Sequence, residues 1–189
     1  MHAMTPRRAL LLPPLAAALL PAALLPAALL PAACTGVPAG VAPVAFDAER
    51  YLGTWYEIVR FDHSFERGLE QVKATYTRRE DGRIGVLNQG TETATGRVRQ
   101  ATGTARFLKD PGTASLGVTF MWPFEGGYHV IRLDPEYRIA LVVGPNNDYL
   151  WLLSRTPTLP DATVQEWLAF AEANGWPASR AIRVRQQAS

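Results

Sequence analysis

Cysteine is nearly absent from this chain: Cys34 is the only one in 189 residues, so no intramolecular disulfide braces the fold in any compartment. Histidine is scarce too. Only His63 and His129 follow the N-terminal region, and a zinc site wants three or four ligands at defined spacing. No metal or other cofactor is expected. No Gly-x-Ser-x-Gly elbow occurs, so Ser154 lacks the setting of an activated nucleophile, and catalysis is not expected. Excess charge is missing as well. The formal +2 includes Arg7 and Arg8, and 2 − 2 leaves 0 for the remainder once they are removed. Nucleic-acid binding depends on neutralising several phosphates, so DNA and RNA are excluded as expected partners.

A long uninterrupted apolar run is also lacking. Arg7 and Arg8 open a basic segment, and an acid-free stretch of Leu, Ala and Pro follows, with Leu-Leu-Pro-Ala-Ala repeated three times over Leu19–Ala33. A membrane span needs roughly 20 apolar residues, but prolines at 13, 14, 21, 26 and 31 each remove a helix hydrogen bond. Residues 1–33 therefore read as an export signal rather than an anchor helix. Cys34 follows directly. One reading is an inert residue beside a cleavage point. The other is a bacterial lipoprotein signal, in which the cysteine becomes the acylated N-terminus. Ala32 and Ala33 resemble that lipobox, whereas Pro31 stands where the pattern prefers leucine. Thr35 in place of an acidic residue points to the outer membrane, where multiple acyl chains anchor stably.

Residues 34–45 are Pro/Gly/Val/Ala-rich and read as a flexible tether, leaving 46–189 as one domain. Its periodicity is that of an all-β barrel or sandwich, with turn chemistry every 8–12 residues or so. Eight strands are predicted: Trp55–Phe61, Gln71–Arg79, Gly82–Gln89, Gly96–Leu108, Ala114–Trp122, Tyr128–Leu133, Arg138–Val143 and Tyr149–Ser154. Asp81-Gly82 suits a hairpin turn. Val164, Trp167, Leu168 and Ala171 share one face of an amphipathic helix, opened by Pro160-Asp161 and stopped by Asn174-Gly175. Ile182 and Val184 alternate with Arg183 and Arg185 as a short final strand.

The run Gly53-Thr54-Trp55-Tyr56-Glu57-Ile58 resembles the first signature of the lipocalins, and Val59–Gly68 narrows the likeness to bacterial outer-membrane lipocalins, relatives of apolipoprotein D. Gly144-Pro145-Asn146-Asn147-Asp148-Tyr149 and Leu152-Leu153-Ser154-Arg155-Thr156-Pro157 resemble the second and third signatures, in order. The resemblance implies an eight-stranded antiparallel up-and-down barrel with the helix packed outside. It also implies a lysophospholipid or fatty acid ligand, storage or transport of lipid at the outer membrane, and allows a homodimer. The alternatives are a ligand-free interaction scaffold and a lipocalin-fold enzyme, for which Cys34, preceding the barrel, supplies no cavity thiol.

The signature residues have physical roles of their own. Trp55 is a large plug for one barrel end, Arg155 can lay its guanidinium across that ring, and Gly53 lets the backbone pass beneath. Strand alternation then assigns an interior. With Trp55 inward, Glu57 and Val59 follow, as do Ala74, Tyr76, Ile84, Val86, Phe107, Leu116, Val118, Phe120, Tyr128, Val130, Ile139, Leu141, Trp151 and Leu153. This lining is apolar and aromatic, suited to an acyl chain, and Ala74, Gly85 and Gly103 leave space. Glu57 is the exception, a carboxylate that either finds tyrosine or backbone partners or reads a ligand's polar head. Phe61, Phe65, Trp122 and Phe124 are expected to form an apolar rim, suited to lipid entry, a dimer contact or plain loop packing.

Overall fold

A computed structural model describes residues 35–187; the export signal expected over 1–33 and the acylation expected at Cys34 lie outside the described residues. A short helix, α1 (Ala48–Tyr51), precedes eight antiparallel strands. These are β1 (Gly53–Phe61), β2 (Leu69–Arg78), β3 (Ile84–Glu92), β4 (Val98–Phe107), β5 (Ser115–Met121), β6 (Phe124–Leu133), β7 (Ile139–Val143) and β8 (Leu150–Ser154). Helix α2 (Asp161–Ala173), a 3₁₀ turn and a short β9 (Ala181–Arg183) follow. Each strand from β2 to β7 pairs with the next, β8 returns to β1, and β1 also pairs with β2, closing the barrel.

The wall is largely buried on both faces along β1, β7 and β8, because each face has something to pack against. Inside lie Tyr51, Trp55, Tyr76, Val86, Leu116, Val130, Val142 and Leu153. Outside, Ile58, Val59, Leu141, Val143, Leu150 and Leu152 pack against Val164, Trp167, Leu168 and Ala171 of α2. The helix ends where expected, with Asn174 capping it and Gly175 at φ +99°.

Two bulges decide which way side chains face. Glu57 lies opposite Leu153 and Val59 opposite Leu152, so β1 carries one extra residue there. Val59, expected inside, is thereby turned to the α2 side, and Arg60 comes inward opposite Trp151. A second irregularity between Val130 and Arg132 sets β7. Ala140 and Val142 face in, so Ile139 and Leu141, both expected inside, face the helix. Phe61, expected on the rim, is buried in the same outer core beneath the Arg180 guanidinium.

The seam between β1 and β2 is closed in two ways. Near the plugged end the strands pair directly from Gly53–Tyr76 to Tyr56–Lys73. Beyond that they diverge, and the C-terminal segment fills the gap. β9 pairs with Val59–Phe61, Val184 N–H donates to Ile58 O, and Gln71 N–H donates to Arg185 O. Gln186 Nε2 bridges both strands, donating to Glu57 O (2.7 Å) and Val72 O (2.9 Å). Residues 35–45, read from composition as a tether, also lie on the barrel. Val44 N–H donates to Val130 O and Ala114 N–H to Val44 O, while Val41 packs on the outer core. The strand edge there supplies free backbone partners that composition does not reveal.

Candidate ligand-binding site

One end of the barrel is plugged from the sequence upward. Asp47 caps α1 through its carboxylate, which accepts from Glu49 and Arg50 N–H. That seats Tyr51 across the barrel end, its ring 4.6 Å from the Trp55 ring, and Trp55 Nε1 donates to Tyr51 O at 2.8 Å. Arg155 also lies over the Trp55 ring, 4.0 Å from its centroid. Its guanidinium donates to the carbonyls of Arg50, Leu52, Thr54 and Tyr137. Gly53 has φ +93°, and a Cβ there would stand 3.3 Å from Arg155 Nη1, so both its conformation and the close approach call for glycine.

Above this plug the barrel encloses a cavity of about 660 Å³, within the range of small-molecule sites. Glu57, Ala74, Tyr76, Val86, Leu116, Val118, Phe120, Tyr128, Trp151 and Leu153 line it. Ile84, Phe107 and Val130 are also inside, packed in the core with the plug residues. Gly103 faces in opposite Val86, and a Cβ on it would meet the Phe120 ring at 2.8 Å. Phe65 and Phe124 stand at the mouth, 53% and 60% exposed, with Met121 and Trp122 of the β5–β6 turn more exposed still.

Tyrosines form the polar floor. Tyr51 and Tyr128 hydroxyls are 2.7 Å apart, and Tyr76 Oη donates to Tyr128 Oη at 3.0 Å. Burial holds all three phenols above their ordinary range, so they stay neutral.

A second polar group sits in the wall. Arg60, brought inside by the β1 bulge and 3% exposed, donates to Glu57 Oε1 (2.8 Å), Glu66 O (3.1 Å) and Leu69 O (3.0 Å). Trp151 Nε1 donates to Glu66 Oε2 at 3.1 Å. Burial first, and the neighbouring Glu66 carboxyl second, push Glu57 well above the usual carboxylate range. Burial raises Glu66 as well. The Arg60 guanidinium opposes that rise at both carboxyls. His63 stacks on Phe65 at 4.0 Å between centroids, and burial and Arg60 drive its imidazole down to about 4.

Sequence reasoning missed Arg60 and Glu66, because a bulge and a loop carry them in. It also missed Asn88, Ala101 and Ala105 on the lining. Those three were legible in principle, since Asn88 follows Ile84 and Val86 at period two, and Ala101 and Ala105 lie opposite Asn88 and Ile84. His129 faces outward beneath residues 35–36. Its Nε2–H donates to Gly36 O, so Nδ1 accepts from the Ser115 hydroxyl, a structural pair. Among the described residues, no group of three or more His, Cys, Asp or Glu is placed to hold a metal.

Residues 46–186 match the Lipocalin-like domain family. The chain is 56% identical over 153 residues to outer membrane lipoprotein Blc of Escherichia coli, covering 80% of this chain and 86% of that one. It is 36% identical over 127 residues to bovine apolipoprotein D, covering 63% and 66%. Among solved structures, the cockroach allergen Per a 4 superposes with a TM-score of 0.64 at 20% identity, over 81% of this chain and 96% of that one, a likeness of fold. The outer membrane expected from the leader is the location that the bacterial relative's name states. An antiparallel eight-stranded barrel with an outer helix, plugged by Trp55 and Arg155, and the match over 46–186 together place this chain in the lipocalin family.

Proposed function

We propose that this protein is a non-enzymatic carrier that stores or transports single-chain lipids, lysophospholipids or fatty acids, at the bacterial outer membrane. The observation that carries this reading is the cavity of about 660 Å³, apolar and aromatic along most of its wall and closed at one end by Trp55. A pocket of that size and lining gains roughly 25 cal/mol for each Å² of apolar ligand surface it takes from water. The named location of the bacterial relative supports the membrane setting. In this reading the acyl chain lies between Val86, Leu116, Val118 and Leu153, and Cys34 carries the lipid anchor that holds the barrel at the membrane, facing the periplasm. The exposed Trp122, Met121 and Phe124 at the mouth suit lipid entry or a homodimer contact.

Native mass spectrometry of the protein titrated with lysophospholipid and with palmitate tests the reading. A saturable adduct of one lipid per barrel, or per dimer, supports it. A folded protein that takes up neither lipid overturns it.

A further inference from the structure

Large apolar side chains stand in water at one end of this barrel. Among the described residues seven such side chains are exposed, and six of them, Phe65, Val98, Phe120, Met121, Trp122 and Phe124, belong to the loops and strand ends around the mouth. Ile182 on β9 is the seventh. The β5–β6 turn is the most exposed part, with Trp122 at 86% and Met121 at 68%. Charged groups of the mouth loops are paired: Arg67 with Asp62 at 2.8 Å, Arg97 with Glu92 at 3.0 Å and Arg180 with Asp148 at 3.1 Å. A concentrated apolar patch rimmed by paired charge marks an interaction surface.

The start of the domain indicates what that surface meets. Thr35 lies outside β6, its Cα 3.2 Å from where a Cβ on Gly127 would stand, and His129 Nε2–H donates to Gly36 O at 3.0 Å. Gly127 is three residues from Phe124, at the mouth end of β6, and six from Leu133, at the plugged end. At about 3.4 Å per residue, Thr35 thus sits about 10 Å along the strand from the β5–β6 turn. Cys34 is one peptide unit further on. A free linker would let the barrel turn in any direction about its anchor. With the segment after Thr35 held on the barrel by Gly36 and Val44, that slack is removed. Acyl chains on Cys34 would enter a membrane beside the mouth and away from the plug.

We propose that the mouth of the barrel is a membrane-docking surface: the leaflet that receives the acyl chains of Cys34 also takes the side chains of Met121, Trp122 and Phe124, and the cavity opens onto it. This rests on the acylation of Cys34 and on the carrier reading, to which it adds a route, from bilayer to cavity without a passage through water. An indole suits the headgroup level, where its apolar ring and its N–H both find matching surroundings. One turn is too small to hold a protein at a bilayer by itself. Beside an anchor its contact becomes intramolecular, so a weak contact is enough to set the orientation.

The test reconstitutes the mature acylated protein into vesicles of equal amounts of phosphatidylethanolamine and phosphatidylglycerol, with and without chain-brominated phosphatidylcholine. Palmitate in excess occupies the cavity throughout, so bromine reaches Trp122 only from the bilayer. The emission of Trp122 is taken as the difference between wild type and Trp122→Phe, a change at an exposed position that leaves the core untouched. It is expected to shift to the blue, to be lost in the brominated vesicles, and to resist quenching by aqueous acrylamide. Emission that acrylamide quenches and bromine does not overturns the docking surface. Emission shielded from both also overturns it, and marks a second copy of the chain on the mouth. A mature chain whose mass shows no acyl chains on Cys34 overturns it at its first premise. Native mass spectrometry of the same protein keeps the two readings apart: palmitate uptake with Trp122 undocked leaves the carrier standing, and a docked Trp122 in protein that takes up no lipid leaves the docking surface without the carrier.

Discussion

The Arg155 guanidinium rests 4.0 Å above the Trp55 ring while donating to four backbone carbonyls, those of Arg50, Leu52, Thr54 and Tyr137. One side chain just beyond the last barrel strand thus ties together α1, the first strand and the β6–β7 turn. Arg155→Met keeps the stem but strands those carbonyls. The expected loss is about 3 kcal/mol, since hydrogen bonds to charged groups contribute roughly 1.5–3 kcal/mol each and are not additive. A lower midpoint in urea denaturation, with an unchanged slope, is the outcome that checks it.

Val118 and Leu141 test the assignment of the two faces. Val118 lines the cavity opposite Gly126, beside which there is open space, so Val118→Trp fills the ligand volume and leaves the wall intact. Lipid affinity should fall at least tenfold or so with little change in stability, each 1.4 kcal/mol of lost binding being about tenfold. Leu141, fully buried on the helix side, behaves oppositely. Leu141→Ala should cost about 2–5 kcal/mol of stability and leave lipid affinity unchanged.

Buried His63 gives a pH dependence. Its folded-state value is depressed to about 4 from 6.5, so between those values the unfolded chain binds the extra proton. Its contribution to stability is therefore complete above pH 6.5 and is lost as the pH falls toward 4. Glu57 has the opposite sign: its raised value means the folded state holds a proton that the unfolded state releases, so its contribution is lost as the pH rises above the ordinary carboxylate range. Thermal unfolding of the wild type and of His63→Phe, followed from pH 7 to pH 4, should show a shallower decline for the variant. Parallel curves would show that the imbalance at His63 is relieved elsewhere.

Gln186 bridges the part of the seam where β1 and β2 do not pair, with its amide shared between Glu57 O and Val72 O. Gln186→Ala strands two carbonyls for an expected cost of about 1–2 kcal/mol. Hydrogen exchange should quicken at Gln71 N–H, which donates to the neighbouring Arg185 carbonyl, and stay unchanged along β3 and β4.

The proposed anchor is checked by fractionation. Cys34→Ala in the full chain should move the protein from the membrane pellet to the soluble periplasmic fraction, since acyl chains supply the stable attachment. Continued sedimentation with membranes would assign the attachment to another part of the protein.

The barrel, its strand count, the outer helix and its Asn174-Gly175 stop, and the pairing of Trp55 with Arg155 were all legible in the chain. The strands, the helix and its stop rest on local chemistry, turn residues and a period of two or 3.6, whereas closure into a barrel was implied by the resemblance to the lipocalin signatures. The facing of β7 was not. Ile139–Val143 is apolar at every position, because the cavity side and the α2 side are both buried, so alternation carries no polarity signal from which to read it. Val59 was misplaced for a related reason: the extra residue in β1 shifts the count by one, and nothing in Glu57-Ile58-Val59 announces it. That same bulge brings Arg60 to Glu57 and gives the cavity its charged cluster. The sequence by itself determined an all-β barrel or sandwich with one amphipathic helix, since propensity and pattern are properties of neighbours along the chain, and its likeness to the lipocalin signatures implied the closed barrel. Only the tertiary structure decided which residues face the cavity and which polar groups meet there, because register is settled between strands.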